Sequence, residues 1–109
     1  MPFKSIVSAL LALTLSPAAW AQNPPSIVDA QQAYYHGHYG RSLELFERLA
    51  ASQDAEAAEC AGFMLLQGDK LYGSGVRRDV DRARILLLQA ARAGRPGAAF
   101  MLNMLERSD

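Results

Sequence analysis

The feature that most limits how this chain can fold is a repeated order of residue types. The stretch "AQQAYYHGHYGRSLELFERLA", which begins at Ala30, runs from small residues through an aromatic, Gly and Tyr to an apolar stripe. Residues 57–94 follow the same order, with Tyr-x-x-Gly, Val and a stripe that ends in Ala-Ala. Two related helix hairpins and a trailing helix are typical of an α-solenoid, because a lone hairpin cannot bury its apolar face.

Apolar residues recur at helical spacing along the chain, and no segment shows the alternation of a β-strand. The spacing predicts helices over about 26–36, 39–51, 54 onwards, 79–94 and 96–107. Ser26, Asp54 and Asp79 are expected N-caps, and Pro96 suits the first position of the last helix. The end of the third helix is open, since Gly68 can either end it or lie within it.

The second unit contains a compact turn signature formed by Tyr72, Gly73, Gly75, Val76 and Asp79. Alternating small residues precede it, and a closing Ala-Ala-x-x-Gly follows it. With this pattern, residues 54–94 resemble the Sel-one-like repeat (SLR) family, a subgroup of the tetratricopeptide superfamily. Residues 26–53 resemble a plainer tetratricopeptide hairpin, and residues 95–109 resemble the first helix of a further, truncated repeat.

The resemblance implies an all-α fold, a short right-handed α-α superhelix of antiparallel helix hairpins. It also implies a binding or scaffolding role, since such repeats hold protein or peptide partners on a curved surface. One departure concerns the segment between Gly62 and Val76, which is several residues longer than the family pattern. The additional residues around 66–71 are expected either to lengthen the third helix or to bulge at the tip of the hairpin.

Residues 1–21 have the pattern of a signal peptide. Lys4 precedes an apolar run from Ile6 to Leu15, and Ala19-Trp20-Ala21 forms a cleavage site before Gln22. The apolar run is shorter than the roughly 20 residues that a spanning helix needs, although an uncleaved anchor is the alternative. The mature protein is therefore expected to be periplasmic or secreted, with a flexible leader over 22–25 and no membrane insertion after signal removal.

The formal net charge is zero, but the two signs are segregated. Seven acidic and three basic residues lie within 22–76, whereas four acidic and seven basic residues follow. A nucleic-acid-binding domain would be basic overall, so this distribution favours a protein partner over nucleic acid. Two ordinary solvated faces would produce the same pattern.

The glycine-rich stretch "GSGVRR" is reminiscent of a phosphate-binding loop. A phosphate cradle needs a free helix N-terminus, whereas Asp79 is placed to cap this helix and Asp81 adds further negative charge. Both carboxylates would repel a phosphate. The glycines are therefore expected to serve a tight turn between helices, with positive φ at one or both of them.

Other candidates for chemistry are sparse. His36 and His38 flank one glycine, and no further cluster completes the three or four ligands of a typical metal site. Cys60 is the single cysteine and lies among small residues, where burial as a small hydrophobe is favoured over a reactive thiol. We therefore predict no catalytic residue, no metal and no cofactor.

Surplus hydrophobicity marks the C-terminal half. Ile85, Leu86 and Leu88 exceed what one buried face of the fourth helix requires, and the last helix places Phe100 and Met104 on a side of their own. Either a partner or a second copy contacts these residues, or the third helix or the leader covers them. The candidate partner-binding residues are Tyr34, Tyr35, Tyr39, Phe63, Tyr72, Phe100 and Met104.

The sequence thus predicts an exported protein-protein interaction or scaffolding module that binds an envelope partner through its repeat surface. We expect no enzymatic activity. The alternatives are a cell-wall-related hydrolase and a self-associating structural subunit.

Overall fold

The computed structural model describes residues 24–108, which are helical and contain no strand. The all-α class is therefore confirmed for this part of the chain, and the expected signal peptide lies outside it. Its elements are α1 (Ile27–Tyr35), α2 (Tyr39–Ala51), α3 (Ala55–Gln67), α4 (Asp69–Tyr72), a 3₁₀ turn (Gly73–Gly75), α5 (Val80–Arg92) and α6 (Pro96–Ser108). Within 24–108, no helix has the length and apolar character needed to cross a membrane.

The three predicted N-caps are confirmed. The Ser26 side chain accepts a hydrogen bond from the backbone of Asp29, whose carboxylate accepts one from the Ser26 backbone in return. Asp54 Oδ1 accepts the backbone N–H of Ala57 at 3.0 Å, and Asp79 Oδ1 accepts that of Arg82 at 3.1 Å. These bonds satisfy N–H groups that a helix start leaves without partners, so the helix boundaries are encoded locally.

Replacing Asp79 with alanine is expected to lower the free energy of unfolding by about 1 kcal/mol, because the cap of α5 is lost. Asp81→Ala is the matched control, since Asp81 is an exposed side chain whose 3.6 Å ion pair with Arg84 contributes less than about 0.5 kcal/mol. Urea denaturation of both variants gives the comparison. An unchanged free energy of unfolding would contradict the capping role, and tighter phosphate binding by the Asp79→Ala variant would support an anion site.

Each long helix packs against the next, α1 on α2, α2 on α3, α3 on α5 and α5 on α6, and α3 also contacts α6. One apolar cluster joins α1, α2, α3 and the turn around buried Phe46, Met64 and Val76. A second cluster surrounds Leu87 and joins α2, α3, α5 and α6. Leu86 is half-buried and packs against both clusters, so a continuous core links the hairpins.

Small residues allow α3 to pack closely against its neighbours. Ala57, Ala58 and Ala61 are fully buried. A methyl group at Gly62 would lie 2.7 Å from Leu87 Cδ2, which shows how closely α3 and α5 approach. The small-residue pattern of α3 is therefore a requirement of helix packing.

The additional residues of the second hairpin form a bulge at its tip. α3 ends at Gln67, and the chain then forms α4 and the 3₁₀ turn before α5 begins. The bulge is closed at its base by two hydrogen bonds, from Asp79 N to Leu65 O at 2.9 Å and from Arg78 Nε to Leu66 O at 2.9 Å. The sequence left open whether Gly68 ends α3 or lies within it, and the structure shows that Gly68 ends it.

The bulge also reaches the first hairpin. Tyr72 is buried beside α1, and the Gly75 backbone lies so close to the start of α2 that a Cβ at Gly40 would be 3.0 Å from its carbonyl oxygen. The insertion therefore connects the two hairpins at a second place, in addition to the contact between α2 and α3.

Candidate functional site

The helices α1, α3 and α6 line one open groove of about 350 Å³, which we call the tyrosine groove. Its principal aromatic side chains are Tyr34 and Tyr35 from α1, Phe63 from α3, and Tyr72 from the bulge. The remaining lining residues are Gln31, Phe46, Glu56, Glu59, Cys60, Met64 and Met101. The first, third and last long helices thus contribute to the same surface.

A cluster of tyrosine rings forms one wall of this groove. The hydroxyl groups of Tyr34 and Tyr72 share a hydrogen bond of 2.9 Å, and their ring centroids are 5.7 Å apart. Tyr39 packs against both rings, with its centroid 5.3 Å from that of Tyr34 and 4.9 Å from that of Tyr72. Tyr35, in contrast, is 81% exposed and stands at the edge of the groove.

Burial of the Tyr72 phenol raises its pKa well above the ordinary value, and the hydrogen bond with Tyr34 raises it further. The phenol therefore stays neutral at physiological pH, so it can both donate and accept hydrogen bonds. The inner wall of the tyrosine groove is consequently uncharged, and its polarity comes from hydroxyl groups.

Two carboxylates from α3 face the same groove. Glu59 Oε1 accepts hydrogen bonds from Arg95 Nη2 at 2.7 Å and Arg95 Nε at 3.1 Å. Glu56 Oε2 accepts a longer bond of 3.4 Å from Gln31 Nε2 on α1. An arginine therefore neutralises Glu59, whereas the hydrogen-bond partner of Glu56 in the described chain is an uncharged amide.

Cys60 directly follows Glu59 on α3 and lies one helical turn after Glu56. Its side chain is half-buried and lines the tyrosine groove, so the expected burial of this residue is incomplete. Burial raises the pKa of the Cys60 thiol to about 11, and the negative charges of Glu56 and Glu59 contribute to the same shift. A thiol that is protonated at neutral pH is a poor nucleophile.

A second open groove of about 710 Å³ runs between α6, the end of α3 and the bulge; we call it the α6 groove. Phe100 and Met104 line it and are 64% and 55% exposed. Phe63 and Met101 line both grooves, so the two form one continuous surface. The other residues of the α6 groove are Leu66, Gln67, Asp69, Lys70, Arg78, Leu105 and Ser108.

The remaining sequence candidates lie elsewhere. His36 and His38 line a separate hollow that shares no residue with the tyrosine groove, and the His36 ring nitrogen Nδ1 lies 2.8 Å from the Gln32 carbonyl oxygen. Within the described range, no three His, Cys, Asp or Glu side chains are grouped to hold a metal. Gly73 adopts φ +81° whereas Gly75 does not adopt a positive φ, so one glycine of the turn needs this freedom.

The segregated charges are partly paired within the molecule. Arg82 of α5 forms an ion pair with Glu47 of α2, and Arg95 pairs with Glu59. Both pairs join the basic C-terminal part to the acidic N-terminal part. The charge asymmetry therefore contributes to the fold and is not wholly available to a partner.

Of the seven predicted partner-binding residues, four line the tyrosine groove and three line the α6 groove, with Phe63 in both. Tyr39 supports the tyrosine cluster from outside the lining. The sequence reasoning missed Glu56, Glu59 and Met101. A signal for the glutamates was present, because positions 56, 59 and 63 fall on one face of α3 at helical spacing.

Neither a family model, nor a curated protein, nor a solved structure matches this chain. The resemblance to Sel-one-like repeats therefore depends on the residues of the second repeat. The described part of the chain is all-helical and has an open, aromatic surface along three of its helices.

Proposed function

We propose that the protein is an exported protein-protein interaction module that binds a segment of an envelope protein along its two grooves. The observation that carries this proposal is the continuity of the tyrosine groove with the α6 groove through Phe63 and Met101. Aromatic and methionine side chains are enriched at protein interfaces, and exposed apolar surface of this kind commonly marks an interaction site. The export step rests on the signal-like sequence of residues 1–21.

The helix arrangement supports a short α-solenoid of the Sel-one-like type as the scaffold. Two hairpins of neighbouring helices form the scaffold, α1 with α2 and α3 with α5. α6 follows as the first helix of a third unit. The first helix of each unit contributes to the tyrosine groove. In solenoids, stacked units of this kind present an extended surface for partners.

The chemistry of the groove favours binding over hydrolysis. The Cys60 thiol is the candidate nucleophile that lines this groove. Burial and two nearby glutamates keep it protonated. The two histidines of the described chain line a different hollow and do not reach this thiol's groove. A cysteine or serine nucleophile needs an adjacent base to react.

Site-specific photocrosslinking tests the proposal. A photoreactive phenylalanine analogue at Tyr35, on the exposed edge of the tyrosine groove, is expected to crosslink one defined partner in intact cells. The same analogue at Glu44, an exposed position on α2 outside both grooves, serves as the control. Equal crosslinking from both positions, or none from Tyr35, would count against the groove as the binding surface.

Converting Phe100 and Met104 to glutamate is expected to reduce this crosslink at least about tenfold, because two charges would replace the exposed apolar side chains of the α6 groove. Both side chains are more than half exposed, so the helical circular dichroism should stay unchanged. Ile85→Glu with Leu88→Glu is the matched control, since these exposed residues of α5 line neither groove. Unfolding of the Phe100/Met104 variant would instead place both residues in the core.

A further inference from the structure

We propose that the tyrosine groove selects a cationic side chain, lysine or arginine, of the bound peptide. This inference rests on the proposed function and adds the chemical class of the residue that is recognised. It concerns a single position of the partner, beside Glu56, whereas the α6 groove holds an apolar residue further along the peptide.

The lining of the groove has the composition that a cation requires. Tyr34, Tyr35 and Phe63 offer aromatic rings, and Glu56 and Glu59 supply carboxylates. No lysine, arginine or histidine is among its lining residues in the described chain. Aromatic faces attract ammonium and guanidinium groups, and a nearby carboxylate adds a charged acceptor.

Glu56 is the carboxylate with capacity left for a ligand. Arg95 already donates two hydrogen bonds to Glu59 and neutralises its charge. Gln31 donates one long bond of 3.4 Å to Glu56 and neutralises nothing. The site therefore keeps close to one net negative charge and free carboxylate lone pairs, which an incoming cation can use.

The charges of the same carboxylates act on the Cys60 thiol. After burial, the largest contributions that raise its pKa are the charges of Glu56 and Glu59, and Arg95 opposes them only in part. A negative potential in the groove disfavours an anionic ligand and favours a cationic one. An acidic peptide segment is accordingly disfavoured as the occupant.

The shape of the surface suits a side chain with an apolar stem. Lysine and arginine carry their charge at the end of a hydrocarbon chain, which can lie along apolar walls. Phe63 and Met101 provide such walls and lead directly into the α6 groove. An extended peptide can thus place its cation beside Glu56 and an apolar side chain further along in the α6 groove, on the same side of the peptide.

Three blocked tripeptides test the selection, acetyl-Leu-Arg-Leu-amide and its counterparts with glutamine or glutamate in the middle. Their affinities are measured by titration into the isotope-labelled protein and by NMR chemical-shift changes. The arginine peptide is expected to bind about tenfold tighter than the glutamine peptide, and the glutamate peptide more weakly than either. The preference for arginine should also shrink as salt is added.

Glu56→Gln is the decisive variant. It should remove most of the preference for arginine, whereas Glu44→Gln, outside the grooves, should preserve both that preference and the affinity for the glutamine peptide. Equal binding of the three peptides to the native protein would overturn the cation selection and leave peptide binding intact. Binding of none of them would overturn both.

Two further outcomes count against the inference. An unchanged preference in the Glu56→Gln variant would mean that another group selects the cation. Concentration-dependent line broadening without peptide, relieved by Glu56→Gln, would mean that an arginine of a second copy occupies the groove in place of a partner peptide.

Discussion

Replacing Gly68 with alanine is expected to lower the free energy of unfolding by about 3 kcal/mol or more. Gly68 has φ +63° and ψ −147°, close to a backbone region that is essentially restricted to glycine and costs other residues about 1–3 kcal/mol. A Cβ at this position would also lie 2.4 Å from Arg78 Cβ and 2.6 Å from Arg78 Cα. Since the clash involves the backbone, relief would require the base of the bulge to open.

Gly73→Ala separates the two causes. Gly73 has a similar conformation, with φ +81° and ψ −169°, but a Cβ there would meet nothing within 4 Å. This variant should show the backbone strain alone, about 1–3 kcal/mol, and a smaller loss than Gly68→Ala. Urea denaturation at one pH gives both values. Equal losses would show that the contact with Arg78 does not matter.

Replacing Leu87 with alanine is expected to cost about 2–5 kcal/mol, the range for removing a fully buried leucine side chain. Leu87 is completely buried in the cluster that joins α2, α3, α5 and α6. Leu88→Ala is the matched control. Because Leu88 is 39% exposed, this variant should lose less than about 1 kcal/mol of unfolding free energy. Thermal and urea unfolding, followed by circular dichroism, provide the comparison.

The double variant Gly62→Ala with Leu87→Ala sharpens this prediction. Alone, Gly62→Ala forces a methyl group against the Leu87 side chain, an overpacking that costs about 1–3 kcal/mol. With Leu87 shortened, that methyl group enters the vacated space. The double variant should therefore be more stable than the sum of the two single losses implies. Strict additivity would contradict the close approach of α3 and α5.

The boundaries of the helices could be predicted because they depend on local chemistry. Ser26, Asp54 and Asp79 bond to backbone groups three residues away, so a few neighbouring residues encode each helix start. α2 also begins and ends as predicted, at Tyr39 and Ala51, since its apolar stripe is regular.

The path of the bulge could not be predicted, because it depends on contacts between distant segments. Gly68 ends α3 where Arg78 packs against it, and Tyr72 turns inward to meet Tyr34, which lies 38 positions earlier. No local pattern specifies such a partner. For the same reason, residue type alone was enough to identify the aromatic candidates. That Glu56 lies beside them is a tertiary contact, which only the folded structure shows.

The inserted bulge has a consequence for how the molecule opens. In a linear array of repeats, each unit contacts only its neighbours, and a terminal hairpin can fray by itself. Here the hydroxyl of Tyr72 bonds to Tyr34 on α1, and the Gly75 backbone lies against Gly40 at the start of α2. The first hairpin therefore cannot detach without breaking a wall of the tyrosine groove, so loss of the site and opening of the N-terminal end become one cooperative event.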